Sequence, residues 1–203
     1  YYNPVRNEIV FPAAILQPPF FDLAADDAVN YGAIGGVIGH EMGHGFDDQG
    51  RRYDSEGVLR DWWAPTDAEE YMKRAKLLVD QYNQYEPLPG LHVNGELTLG
   101  ENIGDLTGVV IAHRAYRLSL DGQAAPVIDG FTGDQRFFFG WIQQWRAKER
   151  EDALRQQVLT NPHSPEMYRA NGPLRNVAEF YSTFDVKDGD QMFLPSAERA
   201  KIW

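Results

Sequence analysis

The sequence predicts a mainly α fold with a small β element. Apolar residues recur at helical spacing in several long segments, a short β-branched and aromatic run lies near the start, and Pro, Gly, Asn and Asp clusters separate them. With 43% hydrophobic and 13% aromatic residues the chain has the composition of a folded domain rather than a disordered one. Its 203 residues suffice for a proper core.

The run "NEIVFPAAIL" (7–16) is strand-like, but Pro12 restricts it to an edge strand, and "QPPFFD" stops it. From Asn30, a suitable N-cap, "YGAIGGVIGHEMGHGF" has the pattern of a helix despite its many glycines. Each interior Gly costs about 1 kcal/mol against Ala, so close packing of a Gly-lined face or a metal bridging one turn must hold this helix. "DDQGRRYDSEG" is a loop. Thr66 and Glu69 form a capping-box pattern for the next helix, whose apolar positions Met72, Ala75, Val79 and Tyr82 share a face. "EPLPG" ends it, and "LHVNGELTL" reads as a hairpin turning at Asn94-Gly95. A third helix, "GENIGDLTGVVIAHRAYRLSL", runs to Asp121-Gly122, and "TGDQRFFFGWIQQWRAKERED" is a fourth. The remainder is rich in Pro and polar turns, with a short aromatic helix around "VAEFYSTF".

The formal net charge of −11 excludes nucleic acid and anionic membrane as default partners. Without cysteine there is no disulfide, thiol nucleophile or Cys-ligated metal. No apolar run reaches the ~18 residues of a membrane span. The opening "YYNPVRNEIVF" has neither region of a signal peptide and does not begin with Met, so residues 1–203 are expected to be one domain cut from a longer protein.

The chemistry concentrates in "GHEMGHGFDD" (39–48). On a helix His40 and His44 lie on one face, as two nitrogens clasping a tetrahedral ion require, and Glu41 sits roughly 100° around the helix, beside that ion. A histidine pair without metal has the same spacing, so a third ligand is needed. Glu101 and Asp105 supply two carboxylates four apart on the third helix, one to bind the ion and one to orient a ligand histidine. Asp47 could orient the His44 ring. Thr98 and Glu101 also scan as a capping box, which would make Glu101 merely structural. In "NPHSPEMYR", a Pro-bounded turn carries His163, able to donate to an oxyanion, and Arg169, whose fork of donors suits a peptide carbonyl or carboxylate. Loop His and Arg are more often plain surface residues.

"VIGHEMGHGFDD", "LGENIGDLTG" and "NPHSPEMYRANGPLRN" resemble the three signature blocks of the neprilysin/endothelin-converting-enzyme family of zinc metallopeptidases. "NEIVFPAAILQPPFF" and the closing "KIW" are also similar to that family, so the resemblance runs end to end. It implies a thermolysin-like (gluzincin) catalytic domain with one Zn²⁺ per chain, held by His40, His44 and Glu101. It further implies Glu41 as the base that activates water, Asp105 as orienter and proton donor, and His163 as transition-state stabiliser. Arg169 would hold the substrate backbone, Val37 and Trp145 would line the pocket after the cut bond, and Asp47 would stand in the outer shell. The implied reaction is endopeptidase cleavage of oligopeptides that carry a bulky apolar residue on the amino side of the cut bond. The alternatives are a zinc aminopeptidase, or a fragment that binds zinc or peptide without turnover. The family has an Asn-Ala pair just before the position of Tyr1, and an N-terminal lobe that roofs the cavity. That lobe, from the same protein, is the expected partner besides the peptide. The resemblance implies an extracytoplasmic parent (secreted, periplasmic or a membrane-anchored ectodomain), and a bacterial source is compatible with the sequence.

Overall fold

The computed structural model describes residues 1–203. The strand-like run near the start yields little strand: β1 (Tyr2–Asn3) pairs antiparallel with β2 (Glu8–Ile9), Tyr2 opposite Ile9. Pairing stops before Pro12, which has no N–H for a ladder, and Ala13–Ile15 curls into a 3₁₀ turn. The expected edge strand over 7–13 is thus reduced to two residues of a hairpin.

The glycine-rich helix starts earlier than the sequence suggests. Helix α1 (Asp27–Asn30) is capped by Asp26, whose side chain accepts from the Ala28 N–H. Asn30 is no cap: its amide exchanges two hydrogen bonds with the backbone of Asp22. A π turn, Tyr31–Gly35, then leads into α2 (Gly36–Gly43). Helix α3 (Pro65–Asn83) begins with Pro65 in its first turn, and the Thr66/Glu69 box does not form. Its buried stripe is Tyr71, Ala75, Leu78 and Tyr82, whereas Met72 is exposed. The hairpin expected at Asn94-Gly95 is absent. Asn94 instead accepts from the N–H groups of Glu96 and Leu97, turning the chain into α4 (Leu99–Ser119).

Helix α5 (Gly133–Gln143) carries a true capping box between Thr132 and Gln135, but ends well before residue 152. The charged run 146–152 offers no apolar face to continue it, and a separate α6 (Glu151–Thr160) follows that sequence reasoning missed. Pro165 starts α7 (Glu166–Asn171), and α8 (Ala178–Phe184) ends on left-handed Asp185. No helix is long and apolar enough to cross a membrane.

The site is positioned by the crossing of α2 over α4. A Cβ on Gly39 would lie 2.9 Å from Gly108 Cα, and one on Gly108 only 2.4 Å from Gly36 O. The two backbones touch because neither helix has a side chain at the crossing. Gly104 leaves room for the His40 ring, which a Cβ there would meet at 2.8 Å. Beneath the crossing Ile103, Leu106 and Val109 are buried, while Val110, expected in the same stripe, is exposed. Close packing of a Gly face is therefore what offsets the poor helix propensity of α2.

Gly108→Ala should consequently destabilise the chain by a net ~1–3 kcal/mol, overpacking outweighing the propensity gained. Gly35→Ala is the control, since its Cβ would meet Ala112 Cβ at an ordinary 3.6 Å. It should be neutral or stabilising in urea unfolding. Equal stability of the two variants would contradict a backbone-to-backbone crossing.

Candidate metal centre

Three donor atoms converge where α2 meets the first turn of α4. The donor atoms of His40, His44 and Glu101 lie within 4.8 Å of one another. His40 Nε2 is 3.3 Å from Glu101 Oε2, and His44 Nε2 is 3.6 Å from Glu101 Oε1. Ligands bound at 2.0–2.1 Å around one tetrahedral ion stand ~3.4 Å apart, close to these two His–Glu distances. The imidazoles stand edge to face, with centroids 4.6 Å apart and an interplanar angle of 88°.

Both rings are oriented from behind. His40 Nδ1 donates to Asp105 Oδ1 at 2.8 Å, and His44 Nδ1 donates to Asp47 Oδ2 at 2.7 Å. A carboxylate only accepts, so each proton sits on Nδ1 and each Nε2 is turned toward the shared point. Asp47 is itself fixed, accepting from the N–H groups of Gln49 and Gly50. Thr98 makes no cap, and Glu101 faces the histidines, so the capping-box reading of Glu101 does not hold.

Asp105 is fully buried, and Arg169 holds it with two hydrogen bonds, Nε to Oδ2 at 2.8 Å and Nη2 to Oδ1 at 2.7 Å. Arg169 Nη2 also lies 3.4 Å from Glu101 Oε2, and the guanidinium sits 4.3 Å over the Trp145 ring. Burial alone would raise the Asp105 pKa, but Arg169 and His40 keep it below the usual carboxylate range. Burial would likewise raise Glu101, yet hydrogen bonds from His163 and His40 hold it well below its ordinary value. For His40 burial lowers the pKa, but hydrogen bonds to Asp105 and Glu101 overcome it and lift the ring to about 9.

The donors open on a cleft of about 510 Å³ lined by Glu41, Asp47, Tyr2, Tyr53 and His163 among others. Glu41 Oε1 is 3.4 Å from the Tyr1 amino nitrogen. His163, 44% exposed, places Nε2 3.0 Å from Glu101 Oε2. Arg169, Trp145 and Val37 do not line this cleft: Arg169 and Trp145 lie behind Asp105, and Val37 is half-buried one turn before Glu41. A larger groove of about 900 Å³ runs along α3 but contains no histidine and none of these residues.

Sequence reasoning missed Tyr2 and Tyr53, which carry no chemical signature. It also missed Asn161, whose Oδ1 accepts from both the backbone N–H and Nδ1 of His163. An Asn two residues before a His in a Pro-bounded turn was the available signal.

The model of Peptidase family M13 matches residues 1–200. Human endothelin-converting enzyme 1 is 41% identical over 207 residues, and neprilysin-1 of Caenorhabditis elegans 43% over 210. Each alignment covers 100% of this chain but only 26% and 28% of the relative. The inhibitor complex of the zinc metalloprotease Zmp1 of Mycobacterium tuberculosis superposes with a TM-score of 0.98 at 57% identity, covering all of this chain and 32% of that one. PepO of Lactobacillus rhamnosis gives a TM-score of 0.88 at 35% identity, covering 100% and 30%. The chain thus spans between a quarter and a third of the length of these relatives. Matched almost end to end, with the signature blocks meeting at one point in space, it belongs to Peptidase family M13, alongside the neprilysins and endothelin-converting enzymes.

Proposed function

We propose that this chain is the catalytic part of a zinc metalloendopeptidase. The observation that carries the reading is the convergence of the donor atoms of His40, His44 and Glu101 within 4.8 Å of one another, each ring locked from behind, beside the Glu41 carboxylate. His40, His44 and Glu101 would hold the ion, and two imidazoles plus one carboxylate is a donor set of catalytic zinc sites. Bound there, zinc would act as a Lewis acid on a peptide carbonyl and lower the pKa of water.

The protein's own residues supply the rest. Glu41 takes the proton of the attacking water and delivers it to the leaving nitrogen. His163 Nε2 is placed to donate to the oxyanion, at the rim of the cleft. Asp105 keeps His40 in one tautomer and orientation. Arg169 spends Nε and Nη2 on Asp105, leaving Nη1 as the group that can reach a substrate carbonyl. The preferred substrate would carry a bulky apolar residue on the amino side of the cut bond. The longer protein, with a second lobe over the cleft, would act on oligopeptides outside the cytoplasm. An aminopeptidase needs a further acid to bind a free amino terminus, and the acids lining the cleft, Glu41, Asp47 and Glu101, already have other tasks.

Internally quenched peptides blocked at both ends test the reading. The zinc-loaded, longest natural polypeptide carrying this chain should cut them. Survival of such peptides would leave only the aminopeptidase or a peptide-binding module without turnover. Glu41→Gln should keep stoichiometric zinc and lose ~10²–10⁴-fold in kcat. Glu101→Ala should lose zinc, and full metal content in that variant would remove Glu101 from the ligand set.

Metal uptake should depend on pH through His40. Its proton, held to about 9 in chelator-stripped protein, must leave before zinc binds. Apparent zinc affinity should therefore rise ~tenfold per pH unit from neutrality and flatten above about 9, with proton release visible by calorimetry in two buffers. The stripped chain should show the opposite trend in stability. A pKa raised from 6.5 to about 9 stabilises the fold fully below 6.5, and that contribution is lost as pH rises through about 9. A stripped protein whose Tm rises over that interval would contradict the His40–Asp105–Glu101 assignment.

A further inference from the structure

The ligand Glu101 and the loop residue His163 are neighbours of two buried polar residues that touch each other. Ser164 Oγ donates to Asn102 Oδ1 at 2.9 Å, with Ser164 wholly inaccessible and Asn102 1% exposed. The chain of bonds continues inward: Asn102 Nδ2 donates to Thr98 Oγ1 at 2.9 Å, and Thr98 Oγ1 donates to the Asn94 carbonyl at 3.0 Å. Asn102 and Thr98 each accept on one side and donate on the other, and Ser164 donates at the start, so each hydroxyl has a fixed direction. The chain ends on a main-chain carbonyl in the turn that feeds α4.

We propose that Ser164 and Asn102, together with Asn161, are positioning residues that hold the His163 imidazole at a fixed place over the metal ligand Glu101. This rests on the reading above that His163 donates to the oxyanion. Residue 163 lies in a half-exposed loop between α6 and α7, bounded by Pro162 and Pro165, and no helix or strand sets its distance from α4. Asn161 Oδ1 sets the ring: it accepts from the His163 N–H at 2.9 Å and from Nδ1 at 2.8 Å, so Nδ1 carries a proton, Nε2 points at the site, and the ring donates from Nε2 in its doubly protonated, imidazolium form. That bond is local to the loop and cannot fix the loop against α4. The Ser164–Asn102 bond does, because it joins the residue after His163 to the residue after Glu101. The distance it secures is the 3.0 Å between His163 Nε2 and Glu101 Oε2. The nearby Arg169–Asp105 pair ties α7 to α4 but leaves the turn before Pro165 free.

A purely structural buried hydrogen bond and a positioning bond both lower stability when removed, so stability does not separate them. The separating measurement is Ser164→Ala made in two backgrounds, with His163 intact and with His163→Ala, in the zinc-loaded, longest natural polypeptide. With His163 present, Ser164→Ala should lower kcat roughly ten- to a hundredfold, since a displacement of ~1 Å suffices for that, while KM moves little and zinc stays stoichiometric. In the His163→Ala background the same change should leave kcat unaltered, because the residue it positions is gone. Asn102→Ala should behave in the same way, and the double variant with Ser164→Ala should be no worse than either alone.

An equal fall in kcat in both backgrounds overturns the proposal, as does an unchanged kcat with His163 present. A His163→Ala protein as active as the parent instead refutes the oxyanion role on which the proposal stands. Histidine-ring NMR then decides the positioning claim alone: the His163 ring resonances should shift or broaden in Ser164→Ala, and identical spectra overturn it. If Ser164→Ala does not accumulate folded, Ser164→Cys keeps the volume with a weaker donor and serves the same comparisons.

Discussion

Everything at this site depends on two helices being close enough for their backbones to touch. At Gly39 and Gly108 the α2–α4 crossing has no side chain between the main chains, and Gly104 makes the recess that the His40 ring occupies. An ordinary helix pair packs at 8–10 Å between axes, separated by side chains. With that separation the short carboxylates of α4 would not reach the imidazole of His40 on both sides. The glycines that weaken α2 as an isolated helix are therefore what bring Glu101 to one ring nitrogen of His40 and Asp105 to the other. Local propensity and tertiary requirement conflict here, and the conflict falls on the helix that carries two of the candidate donors, where functional sites commonly violate local rules.

The second constraint is the buried charge. Asp105 has no access to water, and an ionised carboxylate there is tolerable only with full compensation. Arg169 supplies a planar two-point partner, and Trp145 covers the guanidinium face. A lysine could not replace both bonds. This arrangement explains why an arginine assigned by resemblance to the substrate is found behind the metal ligands. Its two engaged nitrogens, Nε and Nη2, set the electrostatics around Asp105 and Glu101. Glu101 occupies the opposite situation, surrounded by donors from His40, His163 and Arg169, so it stays ionised and available.

Much of this was legible in the sequence because helices convert spacing into direction. His40/His44 and Glu101/Asp105 are both four apart, and a helix must place each pair on one face. The Asp47 partnership was legible for the same reason, three residues from His44. What spacing does not encode is which long-range partner a flexible side chain chooses. Arg169 could be placed near the site but not onto Asp105. The secondary structure failed where turn chemistry had two readings: Asn94-Gly95 fits a hairpin turn and a helix entry equally, and packing chose the helix. Asn30 and Thr66 lost their capping roles to Asp26 and to Ala64, both upstream, because a helix start is decided by whichever residue can take extended backbone angles. The break between α5 and α6 was hidden by a charged run that is helix-compatible residue by residue yet has nothing to pack against.

The site divides its parts between rigid and adjustable frames. The candidate donor atoms sit on α2 and α4, which touch main chain to main chain, as a tetrahedral ion with 2.0–2.1 Å arms would demand. His163 sits on a loop at the edge of the cleft, where a residue proposed to meet the substrate would have to stand. A loop alone would leave that ring free over several ångströms, which a directed hydrogen bond to a transition state does not tolerate. The two buried polar contacts on either side of the tie, Ser164 to Asn102 and Asn102 to Thr98, remove this freedom at their low cost of full mutual satisfaction. The half-exposed histidine is thus referenced to the same helix that carries Glu101, and the α4 N-terminal turn would serve as the common origin for the proposed ligand and the proposed oxyanion donor alike.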